Sequence, residues 1–398
     1  MRIIFVAILF VSGLFGAAGE AAPELNKKFH DSSRCKPCHA QIVKEWSGSY
    51  HAKSHFKNNE YLRKSMKYVG RKSRKSDNAI KVECATCHNP RIAVTEVDTD
   101  YEIMSVMELD KGSKVNRALE SDELNEGINC LVCHNVKKVH SELDESKRGV
   151  KRLEWNKVGE MSGPYKNANS PYHKTHYRNF IGKDPKELCF VCHANDRSTE
   201  GVVFSNMKKE YKETNKQCAD CHMSPKKEGF ASNLPIENSK PKKRMVREHS
   251  FAGAHKTWMW DGALHLDAKV KGKKLLVTLK NNNPHNIPSG FGARELIIDV
   301  EYRSGSKILK QRHLSLTRHY KDKRGKVTIP HLAKKMSEDV SIPARGSRTF
   351  SFPLVEGAGM VSVTLSYRLV NDEVHKLLQL KEPQWSEKKL IDRFNLRF

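Results

Sequence analysis

After Phe15 the sequence has no long apolar run, and only 38% of its 398 residues are hydrophobic. No later segment approaches the roughly 20 apolar residues that a membrane-spanning helix needs, so we expect no membrane span in the mature chain. In the N-terminal half, the apolar content is also too low to build an ordinary side-chain core. Another apolar body must therefore fill the interior of that half.

The first nineteen residues are typical of a secretory signal peptide. Residues 1–2 supply a positive charge, residues 3–15 form an apolar stretch, and residues 16–19 are the small residues that signal peptidase prefers. We expect cleavage after Gly19 and a periplasmic mature protein, with association at the outer surface as an alternative. A retained membrane anchor is the competing interpretation, but the apolar stretch is shorter than the roughly 20 residues of a span.

Cysteine is missing from the sequence except in one pattern, C-x-x-C-H, which occurs five times. The cysteines are Cys35, Cys38, Cys84, Cys87, Cys130, Cys133, Cys189, Cys192, Cys218 and Cys221, and the histidines that follow the pairs are His39, His88, His134, His193 and His222. This pattern is the attachment signature of haem c. On one helical turn the two thiols share a face for thioether bonds to haem, and the histidine beside them binds the iron as the proximal ligand. The sequence therefore predicts five covalently bound haem c groups.

Disulfide scaffolds, zinc sites and thiol-exchange sites also use paired cysteines. None of these alternatives explains why a histidine follows each of the five pairs. If all ten cysteines bind haem, none is left for a disulfide, and haem is the only covalent cross-link. The porphyrins also supply the apolar body that the low hydrophobic content requires.

Acidic residues are few relative to basic ones: 46 Asp and Glu oppose 71 Lys and Arg, which gives a net charge of +25. Removing the signal peptide and counting about one net negative charge per oxidised haem leaves about +19. A basic surface of this size attracts acidic proteins, anionic small molecules or anionic lipid. Because we expect export, we predict no nucleic-acid partner.

The composition changes near residue 262, after which there is no cysteine. We predict a signal peptide over residues 1–19, a mainly α-helical and loop domain packed around five c-haems over 20–260, and an all-β, antiparallel, sandwich-like domain over 261–398. Alternating apolar residues predict the strands of this β-domain. These strands are Leu264–Val270, Lys274–Leu279, Glu295–Tyr302, Thr349–Leu354 and Met360–Leu369. A short helical tail is expected near Glu387–Phe394.

Fourteen of the nineteen histidines remain after the proximal ligands are assigned. A second axial histidine makes a low-spin haem suited to electron transfer, whereas an open axial position suits small-molecule chemistry. The surplus of histidine therefore favours His/His ligation. None of the eleven methionines stands out as an axial ligand, and Met223 lies too close to its own motif to fold over the iron.

Several segments outside the motifs carry a resemblance to a known family. They are Trp46-Ser47-Gly48-Ser49-Tyr50-His51-Ala52, Glu126-Gly127-Ile128-Asn129, His140, Ser170-Pro171-Tyr172-His173, Met223, His249-Ser250-Phe251-Ala252-Gly253 and Asn283-Pro284-His285-Asn286-Ile287-Pro288-Ser289-Gly290. In these segments the chain resembles the multihaem cytochromes c related to the tetrahaem cytochrome c-554 of nitrifying bacteria and to hydroxylamine oxidoreductase. The last segment resembles the His-x-x-Pro-x-Gly loop of β-domains appended to such cytochromes. The chain departs from the family in having five motifs rather than four or eight, and it lacks the C-x-x-C-Lys motif of pentahaem nitrite reductases.

The resemblance implies a set of distal iron ligands. The implied ligands are His51, His140, His173, His249 and His285. Near alternatives to them are His55, His176 and His255. We expect the histidines deep in the β-domain to be ordinary surface or sheet residues: His313, His319, His331 and His375.

Two functions fit these features. The first is respiratory electron transfer, in which closely packed haems relay electrons from a quinol-linked donor to an acidic cytochrome, a terminal reductase or an outer-surface acceptor. The second is a multihaem oxidoreductase, in which one haem with an open distal site reduces or oxidises a small nitrogen or sulfur compound. The surplus of histidine favours the first function, and no group of residues identifies a catalytic site or a single substrate. The β-domain can serve as a docking surface in either case.

Overall fold

The computed structural model describes residues 31–90, 97–120, 125–144, 146–234 and 241–398. The predicted signal peptide, residues 1–19, lies outside the described residues. In the described part of the chain, none of the helices combines the length and the apolar character needed to cross a bilayer.

The N-terminal region is built from short helices joined by loops. They are α1 (Lys36–Ser47), α2 (Glu60–Ser73), α3 (Asp77–His88), α4 (Thr99–Val106), α5 (Lys114–Glu120), α6 (Cys130–His134), α7 (Asn179–Gly182), α8 (Lys186–His193), α9 (Met207–Glu210) and α10 (Cys218–His222). Four small strand pairs lie between them. These pairs are β1 (Val136–Val139) with β2 (Leu153–Trp155), β3 (Glu160–Gly163) with β4 (Lys174–Tyr177), β5 (Asp196–Arg197) with β6 (Val203–Ser205), and β7 (Lys227–Phe230) with β8 (Lys243–Val246).

Each C-x-x-C-H motif lies at the end of a helix or forms a whole short helix. The first motif opens α1, where Pro37 occupies the first turn, a position that tolerates its missing N–H. The second and fourth motifs end α3 and α8. The third and fifth are α6 and α10 themselves. The side chain of Asn129 caps the start of α6, and at the start of α10 the Asp220 carboxylate accepts a hydrogen bond of 2.6 Å from the backbone N–H of Gln217. The second to fifth motifs are therefore helical, which puts the two thiols and the imidazole of each on one side. In the first motif, Cys35 ends a 3-10 turn and the backbone kinks at His39, where φ is −119° and ψ is 41°.

The C-terminal region is a pair of antiparallel sheets, as the alternating apolar pattern predicts. One sheet has the order β15–β10–β9 and the other β12–β11–β16–β17, while β13 and β14 form a separate pair. The strands are β9 (Leu264–Lys271), β10 (Lys274–Asn281), β11 (Glu295–Ser304), β12 (Lys307–Thr317), β13 (Tyr320–Lys321), β14 (Lys335–Met336), β15 (Ser347–Pro353), β16 (Met360–Arg368) and β17 (Lys389–Arg397). The five strands expected from the sequence are confirmed to within two residues at each end. The domain division at residue 260 stays a prediction.

One hydrophobic core lies between the two sheets. Leu266, Leu275 and Leu279 enter it from the first sheet, and Leu296 and Val363 enter it from the second, all buried. The side chains alternate in and out along β9, as expected for a sheet with one solvated face. This face-to-face arrangement of two sheets is a sandwich.

Three elements differ from the sequence-based expectation. The tail near Glu387–Phe394 was expected to be helical, and this is wrong: residues Lys389–Arg397 form strand β17, which pairs with β16. Ile391, Phe394 and Leu396 pack against the core from this strand, so pairing with an open sheet edge outweighs local helix propensity. The C-terminal region instead has a helix at α11 (Asp372–Leu378). The edge strand β12 was not predicted, because most of its side chains are exposed or half-buried and it lacks a clear apolar alternation.

Helix α2 joins the helical region to the sandwich. Tyr61, Leu62 and Met66 belong to the same buried cluster as the sheet residues. Glu60, only 4% exposed, accepts hydrogen bonds of 2.9 Å from the backbone N–H groups of Lys381 and Glu382. Burial raises the pKa of Glu60, but these backbone donors and Lys64 outweigh burial and lower it overall. The ionised carboxylate therefore ties α2 to the segment that follows α11.

Candidate haem sites

The ten motif cysteines form no disulfide, and their thiols connect the motifs to one another. The three thiol contacts are Cys35 with Cys130, Cys189 with Cys218, and Cys192 with Cys87. The pKa values of Cys35, Cys189 and Cys192 are raised, mainly by the hydrogen bond to the partner thiol. Burial raises these pKa values further. Cys133 of the third motif also interacts electrostatically with both cysteines of the fourth. The five motifs therefore form one connected cluster.

Four of the five proximal imidazoles are fixed through Nδ1. The Nδ1 atoms of His39, His134 and His222 meet the backbone carbonyl oxygens of Ala231, Ser162 and Ala252, and Nδ1 of His88 lies 2.9 Å from the hydroxyl of Ser54. A carbonyl can only accept, so in the first three Nδ1 carries the proton and donates it. This leaves Nε2 as the atom that can bind iron, and such a hydrogen bond orients a metal-ligating histidine.

Three proximal rings each face another imidazole at the same separation. The ring centroids are 6.3 Å apart in the pairs His193 with His51, His134 with His249, and His222 with His285. The interplanar angles are 41°, 27° and 23°, in the same order. Two metal–nitrogen bonds of about 2 Å and two ring radii of about 1 Å together span about 6 Å. The spacing of these pairs therefore fits two axial imidazoles on one haem iron.

The protonation state of these imidazoles also fits iron binding, because only a neutral imidazole can ligate. Burial is the main cause that lowers the pKa of His51 to about 3 and that of His193, His249 and His285 to about 4, and a neighbouring histidine lowers each further. The pKa values of His134 and His222 are lowered by burial as well. All six imidazoles are therefore neutral near pH 7.

The turn that carries His51 is held by the segment that leads into the third motif. The N–H of Ile128 donates to the carbonyl oxygen of His51 at 2.8 Å, and the N–H of Gly127 donates to that of Ala52 at 3.1 Å. A Cβ atom on Gly127 would lie only 2.5 Å from the His51 carbonyl oxygen. Glycine at this position therefore permits the close approach that places His51 opposite His193.

The segment that follows β8 contributes side chains next to two of the facing histidine pairs. The backbone N–H of His249 donates to Glu45 at 2.9 Å, and its Nδ1 meets the carbonyl oxygen of Arg247 at 3.0 Å. Two residues further on, the ring of Phe251 lies 4.4 Å from that of His51 and 6.1 Å from that of His249. An aromatic side chain thus lies between the two candidate distal ligands.

His285 comes from the loop between β10 and β11, so the C-terminal sandwich supplies a ligand candidate to the fifth motif. The side-chain amide of Asn281 donates to the His285 carbonyl oxygen at 2.8 Å, and Nδ1 of His285 meets the carbonyl oxygen of Asn286 at 2.9 Å. The N–H of Lys212 donates to the carbonyl oxygen of Pro284 at 2.7 Å and links the loop to the helical region.

The other distal candidates lie elsewhere. Nδ1 of His140 lies 2.7 Å from Glu142, and its Nε2 lies 4.0 Å from Glu154, so its ring takes part in an exposed ion-pair network. His173 lines a cavity of 580 Å³ formed by residues 159 and 168–175, and its ring is not stacked on any of the five proximal ones.

The three histidines named as alternative distal ligands also contact other groups. His55 packs on Phe56, His176 lies 3.3 Å from Glu160, and His255 meets Tyr50 edge-on at 4.6 Å. Among the described residues, no ring faces His39 or His88 at the separation found in the three histidine pairs.

His331 was expected to be an ordinary surface or sheet residue, yet its ring interacts with that of His88 in the second motif. Burial, and after it the charges of His88 and Arg148, lower the pKa of His331 to about 4. Two other histidines of the β-domain lie at the surface as expected: Nδ1 of His313 is 2.7 Å from Asp299, and Nδ1 of His319 is 2.6 Å from Glu373. No local pattern marks His331, because its approach to the second motif depends on how the sandwich packs against the helical region.

Comparison with known proteins points to the same class of protein. Residues 34–135 match the model of the family described as cytochrome c554 and c-prime. The chain has the fold of a penta-heme cytochrome c552 from Thermochromatium tepidum, with a TM-score of 0.68 and 19% identity over 93% of this chain and 100% of that one. A beta-glucuronidase from Bacteroides uniformis matches 33% of this chain and 12% of the beta-glucuronidase chain at 13% identity. Its TM-score of 0.15 is too low to indicate a shared fold. No curated protein sequence matches. The matched residues carry the first three C-x-x-C-H motifs, and together with the shared fold of a penta-heme cytochrome they support a multihaem cytochrome c that is similar to the cytochrome c554 family, whose members bind haem c covalently.

Proposed function

We propose that this protein is an exported pentahaem electron carrier that relays electrons between respiratory donor and acceptor proteins. The observation that carries the proposal is the set of three histidine pairs with ring centroids 6.3 Å apart, on motifs that form one cluster. An iron with two axial imidazoles has no open position for a substrate, and its role is to accept and release electrons. Contact between the motifs keeps neighbouring haems close enough to exchange electrons.

The ligand assignment follows from these pairs. Five haem c groups are bound through the ten cysteines, each with its motif histidine as proximal ligand. His51 is the distal ligand of the fourth-motif haem, His249 of the third and His285 of the fifth. In these three sites the protein contributes both axial nitrogens, a low-dielectric surrounding and fixed ring orientations, which together tune the potential.

Five haems should be covalently attached. The intact mass of the purified mature protein is expected to exceed the mass of its polypeptide by five haem masses, because each motif has two free thiols and a histidine in one helical turn. Mass spectrometry under denaturing conditions measures this, since only thioether-linked haem survives. An excess of four haem masses or fewer would mean that a motif is unused.

The midpoint potentials should be low and spread over a wide range. Imidazole pairs lack the methionine ligand that raises the potential, and the charge on one reduced haem opposes reduction of its neighbours in the cluster. A spectroelectrochemical titration should therefore show several overlapping steps. A single step at a potential typical of His/Met cytochromes would contradict the proposed relay.

The partners and location belong to the same proposal. The protein acts in the periplasm after removal of residues 1–19, and its charge of +25 before processing favours acidic redox partners. The alternative function, oxidoreductase chemistry on a small nitrogen or sulfur compound, draws support from one observation. Among the described residues, His88 faces no imidazole at the separation found in the three pairs.

A further inference from the structure

The antiparallel ribbon formed by β7 and β8 is bonded directly to the first C-x-x-C-H motif. Strand β7 ends at Phe230, and the carbonyl oxygen of the next residue, Ala231, lies 2.5 Å from Nδ1 of His39. Two residues further on, the N–H of Asn233 donates to the carbonyl oxygen of Cys38 at 2.8 Å. Because consecutive Cα atoms are about 3.8 Å apart, a molecule that touches Phe230 lies within one residue and one hydrogen bond of the proximal imidazole.

One face of the ribbon is held against the helical region. The guanidinium carbon of Arg244 lies 4.7 Å from the centre of the Tyr165 ring, and the hydroxyl of Tyr165 donates to the carbonyl oxygen of Met245 at 3.0 Å. Just after β8, Nη1 of Arg247 donates to the carbonyl oxygen of Ala219, a residue of the fifth motif, at 3.0 Å. The ribbon is therefore fixed between the first and fifth motifs.

The other face of the ribbon carries apolar and charged side chains at the surface. In the register of the two strands, Phe230 lies opposite Lys243, and Glu228 lies opposite Met245. Since side chains alternate along a strand, these four lie on the same side, and we call them the ribbon face. Phe230 is 43% exposed and Met245 is 52% exposed. Lys243 and Glu228 form an ion pair of 3.2 Å beside them.

The ribbon face lies in basic surroundings. Within residues 226–230 and 242–246, the exposed charged side chains are four lysines and one carboxylate: Lys226, Lys227, Lys242, Lys243 and Glu228. Since Lys243 pairs with Glu228, the charge that the ribbon presents outward is positive. An aromatic ring and a methionine inside a charged rim have the composition of a protein interface. The positive rim complements a partner whose own rim carries carboxylates.

We propose that the ribbon face is the docking surface for an acidic redox protein, which passes one electron to the haem of the first motif. The partner contacts Phe230 and Met245 with apolar groups and surrounds them with carboxylates. One electron moves from the reduced partner to the ferric iron, and no bond forms or breaks. Lysines also attract an anionic membrane, but the hydrogen bonds that join the ribbon to His39 and Cys38 favour a partner that exchanges electrons. The inference rests on the proposed electron-transfer function and on haem attachment at the first motif.

The test measures by stopped flow how fast a reduced acidic flavodoxin reduces the oxidised holoprotein at low ionic strength. The double variant Lys227→Glu/Lys242→Glu should slow the reaction about 10-fold, because charges at the rim of an interface govern the rate of encounter. Phe230→Ala should slow the reaction about 5-fold, because it truncates an apolar contact at the centre of the interface.

Strand β12 offers matched controls, because Ile308 is 44% exposed there and has exposed lysines on either side at positions 307 and 310. Lys307→Glu/Lys310→Glu makes the same change in net charge, and Ile308→Ala makes a comparable apolar truncation. Both should leave the rate within about 2-fold of that of the unmodified protein, since only the overall charge then affects the encounter.

Two further measurements locate the complex and the haem that receives the electron. Carbodiimide cross-linking of flavodoxin carboxylates to this protein should map to the lysines at positions 226, 227, 242 and 243. Oxidised flavodoxin should shift the nuclear magnetic resonance signals of the haem attached at Cys35 and Cys38 more than those of the other haems.

Four results would overturn the inference: equal slowing by the β12 variants, unchanged rates in the ribbon variants, cross-links that map elsewhere, or shifts centred on another haem. Binding to phosphatidylglycerol vesicles that Lys227→Glu/Lys242→Glu abolishes, with no change in the flavodoxin rate, would instead assign the ribbon to anionic lipid and also overturn it. In each case flavodoxin still reduces the unmodified protein. Failure of the proposed function appears differently, as slow reduction of the unmodified protein by flavodoxin while an uncharged small reductant still reduces its haems.

Discussion

Replacing His51, His249 or His285 with alanine, one at a time, should convert one haem from low spin to high spin in each variant. Each change removes the imidazole that lies 6.3 Å from a different proximal ring. Loss of an axial nitrogen leaves the iron five-coordinate or water-ligated, and the midpoint potential of that haem should shift by on the order of 100 mV. Electron paramagnetic resonance and a redox titration measure the two effects.

Two further measurements make this prediction specific. Adding imidazole to each variant should restore the low-spin signal, because the small ligand can enter the space left by the side chain. His140→Ala is the matched control, since that ring pairs with Glu142 instead of facing a proximal histidine, and its spectrum should not change. A His51→Ala spectrum identical to that of the unmodified protein would remove His51 from the ligand set.

Gly127→Ala should reproduce the His51→Ala result at the fourth-motif haem without touching a ligand. The added methyl group would lie 2.5 Å from the His51 carbonyl oxygen and must displace the turn. Gly163→Ala is the control, because its Cβ would have no neighbour within 4 Å. An unchanged spin state in Gly127→Ala would show that the turn can shift without loss of the ligand.

Electron exchange with an acidic redox protein should slow about 100-fold as ionic strength rises from roughly 0.01 M to 1 M, because the Debye length falls from about 30 Å to about 3 Å. The net charge of +25, or about +19 for the mature pentahaem form, supplies the attraction that salt screens. Stopped-flow measurement against an acidic cytochrome or a flavodoxin-like donor gives the rate. An uncharged small reductant is the control, and its rate should depend little on salt. A protein–protein rate nearly independent of ionic strength would mean that the charge serves solubility rather than steering.

The haem motifs and the main strands could be predicted because both signals are local. Cys84, Cys87 and His88 occupy one helical turn, so five consecutive positions are enough to recognise the site. Strand β9 shows the alternation of a sheet with one buried face. The tail Lys389–Arg397 was misassigned because its state depends on an open edge of the sheet at β16, which no local pattern reveals.

The three facing histidine pairs could not be predicted from the sequence. His51 and His193 are 142 positions apart, and His134 and His249 are 115 apart. The resemblance suggested His51 and His249, and less strongly His285, but it also suggested His140 and His173. The packing of the chain puts the first three opposite a proximal ring and places the other two elsewhere.

By itself, the sequence indicated the class of cofactor, since the signature of haem c attachment needs only five consecutive residues. It also determined the basic charge and the antiparallel character of the C-terminal region. The tertiary structure alone decided which histidine faces which motif and how closely the motifs pack. The physical reason is distance along the chain: an axial pair joins residues from separate elements, and only the packing of those elements brings the two nitrogens to a common centre.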